Sequence, residues 1–288
     1  MPSRMMKIIE CPRDAMQGID SFIPTEEKVA YLNQLLKVGY DTLDAGSFVS
    51  PKAIPQLKDT AAVFDQLDLA VSRTKILAIV ANIRGAQEAC MHPAVTYVGF
   101  PLSISETFQQ RNTNRSIPEA LETLNEIQEA CVKSGRTLVT YLSMGFGNPY
   151  GDPYNVEIVG KFVDILSTLE VQIVSLSDTI GVSTAEQITY LFTHLTADFS
   201  HIEIGAHLHS NPATAVEKID AALNAGCRRF DGAINGFGGC PMAEDKLVGN
   251  LATETIVAHL TNLGIPPELN MEAFRKAVRL AGPFFNRH

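Results

Sequence analysis

Several protein classes are excluded by what this sequence lacks. Its five cysteines, Cys11, Cys90, Cys131, Cys227 and Cys240, include no pair at C-x-x-C spacing. An odd, scattered set in a long chain argues against a disulfide framework and for a reducing, cytoplasmic setting with at least one free thiol. No stretch approaches the 18 or so apolar residues that a membrane-spanning helix needs. The opening MPSRMMKIIECPRD carries neither a long apolar run nor a small-residue cleavage site, so no secretory signal is expected. Strand-like residues begin by Lys7 and leave no room for a transit peptide. Basic residues are outnumbered, 23 Lys and Arg against 32 Asp and Glu, a net charge of -9. That balance is the opposite of a nucleic-acid footprint. No G-x-G-x-x-G follows the first strand-like run, where Cys-Pro-Arg-Asp stands instead, so a dinucleotide fold has no support. The turn Gly145–Pro149 lacks the Lys-Ser/Thr ending of a phosphate loop. It reads as room for substrate.

Apolar residues are plentiful, at 45% against 19% charged, enough for a large core. Short β-branched runs alternate with helix-length segments. The runs are Met6–Glu10, Thr42–Ala45, Lys75–Val80, Val95–Gly99, Leu138–Leu142, Gln172–Leu176, Glu203–Leu208 and Arg229–Ala233. Ser116 with Glu119, and Ser183 with Glu186, have the spacing of a helix capping box. Val29, Leu32, Leu35 and Leu36 form a helical stripe that Gly39 ends. Eight strand–helix units match an α/β fold of the (β/α)8 TIM-barrel type, although an open doubly wound sheet uses the same units. Length alone favours about two domains. With no linker or composition break, residues 1–288 read as one catalytic barrel domain. Residues 264–288 form a C-terminal helical extension, with a helix over Pro267–Leu280.

A barrel of this kind carries its active site at the C-terminal strand ends. Arg13-Asp14, Asp44, Asn82, Ser143, Asp178-Thr179, His207-Leu208-His209 and Asn250 stand there or just beyond. A spacing of two puts His207 and His209 on one face of a strand. With Asp14, the amide oxygen of Asn250 and water, they suit octahedral Mg²⁺ or Mn²⁺ better than tetrahedral zinc. They are equally readable as hydrogen-bonded pocket histidines without metal. Arg13 is either a salt-bridge partner or a fixed cation for a developing oxyanion. Asp44 and Asp178 are either site carboxylates or caps and loop hydrogen-bonders. Cys240, in Gly-Gly-Cys-Pro, is a candidate acid or base on a loop, or a packed thiol like the other four. Lys52 and the 145–151 turn are candidate contacts for substrate phosphates, though a loop lysine is commonly just solvated.

The stretches CPRDAMQG (11–18), SFVSPKAIPQLKD (47–59), SISETFQQRNTNRS (103–116), SDTIGVST (177–184), GAHLHS (205–210) and GFGGCPMAEDKLVGNLATE (236–254) run along nearly the whole chain. Together they resemble the 3-hydroxy-3-methylglutaryl-CoA lyase family, within the metal-dependent lyase and Claisen-condensation superfamily of TIM barrels. The resemblance implies a divalent cation, Mg²⁺ or Mn²⁺, on Asp14, His207, His209 and Asn250. It implies that Arg13 stabilises an acetyl-CoA enolate. It implies that Cys240 moves a proton on a loop that closes over the substrate, and that Asp178 acts near the metal or the substrate hydroxyl. It further implies an acyl-CoA substrate, a homo-oligomer (dimer or larger), no nucleic-acid or membrane partner, and a place in leucine degradation or ketone-body formation. The sequence departs from the family pattern at Asp44, where the family has Glu, and at Ser210, where Asp commonly follows H-x-H. The interval from Cys240 to Asn250 is also one residue longer than in the animal enzymes. A related 3-hydroxyacyl-CoA is the neighbouring substrate expectation. A Claisen-type synthase acting on a 2-oxo acid is the sibling activity, and a non-catalytic acyl-CoA-binding barrel would have a disrupted ligand set.

Overall fold

The computed structural model describes residues 5–239 and 248–285. Eight strands are present: β1 (Lys7–Glu10), β2 (Thr42–Ser47), β3 (Lys75–Ile79), β4 (Val95–Ser103), β5 (Thr137–Ser143), β6 (Ile173–Asp178), β7 (Glu203–Leu208) and β8 (Arg229–Gly232). All neighbours pair in parallel and in chain order. β8 pairs back onto β1, with Ile9 opposite Asp231, so the sheet is a closed barrel and the doubly wound alternative falls away. Each strand starts within one residue of its expected position. β4 runs past Gly99 because its pairing with β5 continues to Ser103 opposite Ser143.

Alternation along the strands sorts side chains between two environments. Ile8, Val98, Leu142 and Leu208 face outward into the large core between strands and helices. Leu77, Ile79, Tyr97, Val139, Tyr141 and Ile173 form a separate cluster from β3 to β6. The buried polar residues Asp44, Ser175, Arg229 and Asp231 belong to β2, β6 and β8. The barrel is therefore apolar on one side and charged near β8, β1 and β2, where the site is built.

The helix Ile117–Ser134 has the expected capping box at Ser116 and Glu119. The next such signal shifts by one residue: Thr184 and Gln187 cap the helix Ala185–Asp198, not Ser183 and Glu186. Ser183 is diverted, since its hydroxyl and N–H both donate to Asp178. The C-terminal helix spans Met271–Phe285, later than Pro267–Leu280. The Asn270 side chain accepts from the N–H groups of Glu272 and Ala273 and sets its start. Phe284, stacked on Tyr31 at 4.4 Å between ring centroids, fastens its far end to the helix Thr25–Leu36. Among the described residues, no helix is long and apolar enough to cross a membrane.

Candidate active site at the C-terminal mouth of the barrel

A cavity of about 480 Å³ opens at the C-terminal strand ends, within the usual range for a small-molecule site. Arg13, Asp14, Ser143, His207 and His209 line it. A larger recess of about 730 Å³ lies among Lys7, Tyr97, Glu203 and Arg229 at the opposite strand ends and contains none of the expected site residues.

Arg13 and Asp14 sit on a short helix, Pro12–Gln17, that starts directly after β1. Pro12 fixes the first helical residue without needing its missing N–H. The Arg13 guanidinium donates to Asp44 from Nε (3.1 Å) and from its terminal nitrogen (2.5 Å). It also donates to Asp14 and to Gln17, each at 3.0 Å. Burial opposes its charge, but Asp44 and Asp14 outweigh burial and push its pKa further up. Arg13 is thus a permanent cation whose direction is set by Asp44.

The carboxylate of Asp14 and the imidazoles of His207 and His209 offer ligand atoms all within 4.8 Å of one another. His207 ends the inward face of β7. His209 continues that alternation through a bridge to Asn250. The Asn250 amide nitrogen donates to Asp14 (2.8 Å) and to the Phe237 carbonyl (3.0 Å). Those bonds use its donors and leave its oxygen as the atom with cation affinity. Gly238 permits the close approach: at φ +92 it presses on Ala15, and a Cβ there would lie 2.8 Å from the Asn250 amide nitrogen.

At Asp14 and His209 the electrostatics favour the cation-binding protonation states. Burial alone would raise the pKa of Asp14, but Arg13, His207 and His209 bring it down to about 2. Burial, reinforced by His207, lowers His209 to about 4, which keeps it neutral. Both ring nitrogens of His209 are buried without a hydrogen bond, and the Thr179 backbone that bears on the ring lies outside normal hydrogen-bond geometry. A buried imidazole with no partner is costly alone and is satisfied by a metal ion. On that observation the residues fit a divalent cation.

Behind His207, Asp231 accepts from Nδ1 at 3.1 Å and directs Nε2 as the remaining ligand atom. Burial opposes the charged imidazole, yet the hydrogen bond and charge of Asp231 raise its pKa overall. The sequence reading did not single out Asp231. Its signal was available, since Arg229 and Asp231 are charges on one face of an otherwise apolar strand.

Other expected site residues have different positions. Both oxygens of Asp178 are engaged, by the N–H groups of Val182 and Ser183, the Ser183 hydroxyl and the Lys218 ammonium (2.7 Å). Lys218 also donates to the His209 carbonyl at 2.9 Å, so Asp178 positions the β7 end rather than facing the cavity. Asp44 likewise reaches Arg13, not the cavity, and is fully buried. Asn82 caps the helix Ile83–Met91 by accepting from the Gly85 N–H at 2.9 Å, outside the cavity wall. Lys52 is exposed and is not on that wall. The Gly145–Pro149 turn is not on that wall either, and its Phe146 is buried. Ser210 donates its hydroxyl to the Asn211 carbonyl and stays out of the ligand set. Cys240 lies outside the described residues. Gln17 and Arg111, which the sequence reading passed over, do line the cavity. Arg111 lies over the Tyr150 ring, 4.7 Å from its centroid.

Known proteins place this arrangement in a family. Hydroxymethylglutaryl-CoA lyase YngG of Bacillus subtilis is 34% identical over 93% of this chain and 89% of its own length. A Pseudomonas aeruginosa protein named 3-hydroxy-3-isohexenylglutaryl-CoA/hydroxy-methylglutaryl-CoA lyase is 32% identical over 95% of this chain and 90% of its own. An HMG-CoA lyase from Acinetobacter baumannii, solved in complex with coenzyme A and 3-methylmalate, superposes with a TM-score of 0.91 at 28% identity. That match covers 98% of this chain and 92% of the other. The HMGL-like family model matches residues 6–281, and the chain belongs to that family.

Proposed function

We propose that this protein is a divalent-cation-dependent carbon–carbon lyase that divides 3-hydroxy-3-methylglutaryl-CoA into acetyl-CoA and acetoacetate. The observation that carries the reading is a clamped Arg13 guanidinium beside the Asp14, His207 and His209 ligand atoms on one cavity wall. Asp14, His207, His209 and Asn250 would hold Mg²⁺ or Mn²⁺. Such a cation supplies Lewis acidity toward the substrate's hydroxyl and carboxylate oxygens.

The chain's own residues account for the rest. The C3 hydroxyl proton passes to the medium, the C2–C3 electron pair moves onto the thioester as an enolate, and C3 becomes a ketone. Arg13 faces the charge that develops on the thioester oxygen and does not lose a proton to it. Asp44 holds the guanidinium in that direction. Carbon C2 then takes a proton, and we assign this transfer to Cys240. Val49, Ile79, Pro101 and Phe108 give the cavity an apolar wall that limits water access to the enolate. Arg111, rather than Lys52, is the wall cation suited to the anionic CoA. Assembly as a dimer or larger is part of the proposal, and light scattering that returns a single-chain mass of 31.3 kDa overturns that part.

The test is incubation of the purified protein and Mn²⁺ with 3-hydroxy-3-methylglutaryl-CoA, reading acetoacetate. The His209→Ala variant is expected to lose bound Mn²⁺ and turnover together, and Cys240→Ser to lose turnover with Mn²⁺ retained. No acetoacetate from this substrate, with cleavage of a longer 3-alkyl analogue, shifts the substrate and keeps the reaction. The Pseudomonas relative, whose name carries both acyl groups, favours including that second substrate. Condensation of acetyl-CoA with a 2-oxo acid, without cleavage, overturns the lyase reading.

A further inference from the structure

His207 belongs to two clusters. Nε2 faces the cavity, while Nδ1 faces a closed space that the proposed reaction does not use. Cys11 and Asp231 share that space, and the ligand atoms of Cys11, His207 and Asp231 all lie within 4.8 Å of one another. Cys11 is 0% exposed and Asp231 1%. One oxygen of Asp231 accepts from His207; the other, Oδ1, is buried with no hydrogen-bond partner. The Cys11 thiol reaches only the Ile9 carbonyl, at 3.9 Å. Burial, followed by the charges of Asp231, Asp44 and Asp14, disfavours a bare thiolate there. The same carboxylates favour a cation. Of the nearby positive groups, Arg13 is held by Asp44, whereas Arg229 reaches Glu203 through one terminal nitrogen, leaves its Nε and other terminal nitrogen without a hydrogen bond, and shares the charge of Asp231 with the site.

We propose that Cys11, His207 Nδ1 and Asp231 form a second metal site, selective for soft divalent cations such as Zn²⁺ and Cd²⁺, which excludes the hard cation from the cavity. The donor set is sulfur, imidazole nitrogen and carboxylate, the mixture that thiophilic d¹⁰ ions prefer and Mg²⁺ does not. The Nδ1 to Asp231 separation of 3.1 Å is close to the ~3.3 Å between two ligands of a tetrahedral zinc at ordinary bond lengths. The unpartnered Oδ1 of Asp231 can supply a fourth donor atom. As the metal–sulfur bond forms, the thiol S–H breaks and its proton passes to the medium. The proton on Nδ1 moves to Nε2.

Exclusion follows from the imidazole. A neutral ring has one nitrogen lone pair to give. With Asp231 accepting from Nδ1–H, that lone pair is on Nε2 and points at Asp14. With a soft cation on Nδ1, Nε2 carries a proton and is no longer a ligand. The two cations therefore compete through one ring without sharing a position. This antagonism rests on the cation set proposed above, whereas the soft site itself does not.

Cadmium titration followed by thiolate-to-cadmium ultraviolet absorption tests the site in wild type, Cys11→Ser and Cys240→Ser. The absorption is expected to saturate at one equivalent in wild type and Cys240→Ser and to be absent in Cys11→Ser. Its persistence in Cys11→Ser, or its loss in Cys240→Ser alone, overturns the proposal. Anomalous scattering from cadmium-soaked wild-type crystals needs no variant, and a peak between Cys11 and Asp231 is expected. A peak only among Asp14, His209 and Asn250 overturns it. Electron paramagnetic resonance of bound Mn²⁺ reads the competition. Cadmium should release Mn²⁺ from wild type, and Cys11→Ser should need about tenfold more cadmium, or beyond. Failure of wild type to bind Mn²⁺ at all counts against the cavity cation set, while the absorption still decides the soft site.

Discussion

Arg13 shows how a single side chain acquires a role from its neighbours. A lone Arg-Asp dipeptide is ambiguous, but Asp44 accepts two of the Arg13 donors while Asp14 and Gln17 accept a third nitrogen's. The Asp44 side chain, one methylene shorter than the Glu that the family resemblance leads one to expect, reaches the guanidinium. Asp44→Asn should cut turnover by about 100-fold, the scale of a small misplacement of a reacting group, with KM and bound Mn²⁺ nearly unchanged. Steady-state kinetics beside Mn²⁺ resonance would show this, and equal losses in both would refute the positioning role. Asp231 directs the other side of the site. Asp231→Asn should weaken Mn²⁺ binding by roughly 10- to 100-fold, as removal of an orienting partner does elsewhere. An unaltered Mn²⁺ titration would mean that His207 is oriented by something else.

At the scale of elements, the ends of β6 and β7 are joined by one buried ion pair. Lys218 comes from the helix Ala215–Asn224, and both it and Asp178 are nearly fully buried. Lys218→Met leaves the Asp178 charge unpaired, which should cost about 3–5 kcal/mol of stability. Adding Asp178→Asn should recover part of that loss. Urea unfolding of the single and double variants measures both effects, and a single variant as stable as wild type would contradict the ion pair's role. The sequence marks Asp178 as special without showing how, because Lys218 is 40 residues away and only the stacking of neighbouring units makes the pair. The β1 to β8 strand positions were readable because alternation and length are local properties. Helix starts were less so: Ser183 has the spacing of a cap but is taken by Asp178.

Across the whole molecule, Glu10 closes the barrel's seam. It accepts from the Ile234 N–H at 2.8 Å and the Thr253 hydroxyl at 2.6 Å, so β1 is tied to the segments following β8. Burial raises its pKa from 4.5 to about 8 against those hydrogen bonds. An acid with a raised folded-state pKa contributes its full stability below 4.5 and loses it as pH climbs through about 8. Each unit of pH in that window removes up to about 1.4 kcal/mol. Thermal melting should therefore weaken across this window in wild type and do so less in Glu10→Gln, whose amide has no proton to lose. Parallel pH profiles for the two proteins would show that Glu10 is not the group responsible.

The residue order by itself determined the eight strand–helix units, the bias toward a barrel, and the presence of Arg13, Asp14, His207, His209 and Asn250 near strand ends. These follow from periodicities of two and of about four residues, and from the chemistry of donor types, all of which are local. The tertiary structure decided closure of β8 on β1, and with it which side chains share a space. It assigned Asp44 and Asp178 to holding Arg13 and Lys218, Asn82 to a helix cap, and Asp231 to His207. Those pairings join residues distant in the chain, and their energies depend on burial and on separations of about 3 Å. Neither quantity exists until the barrel has closed.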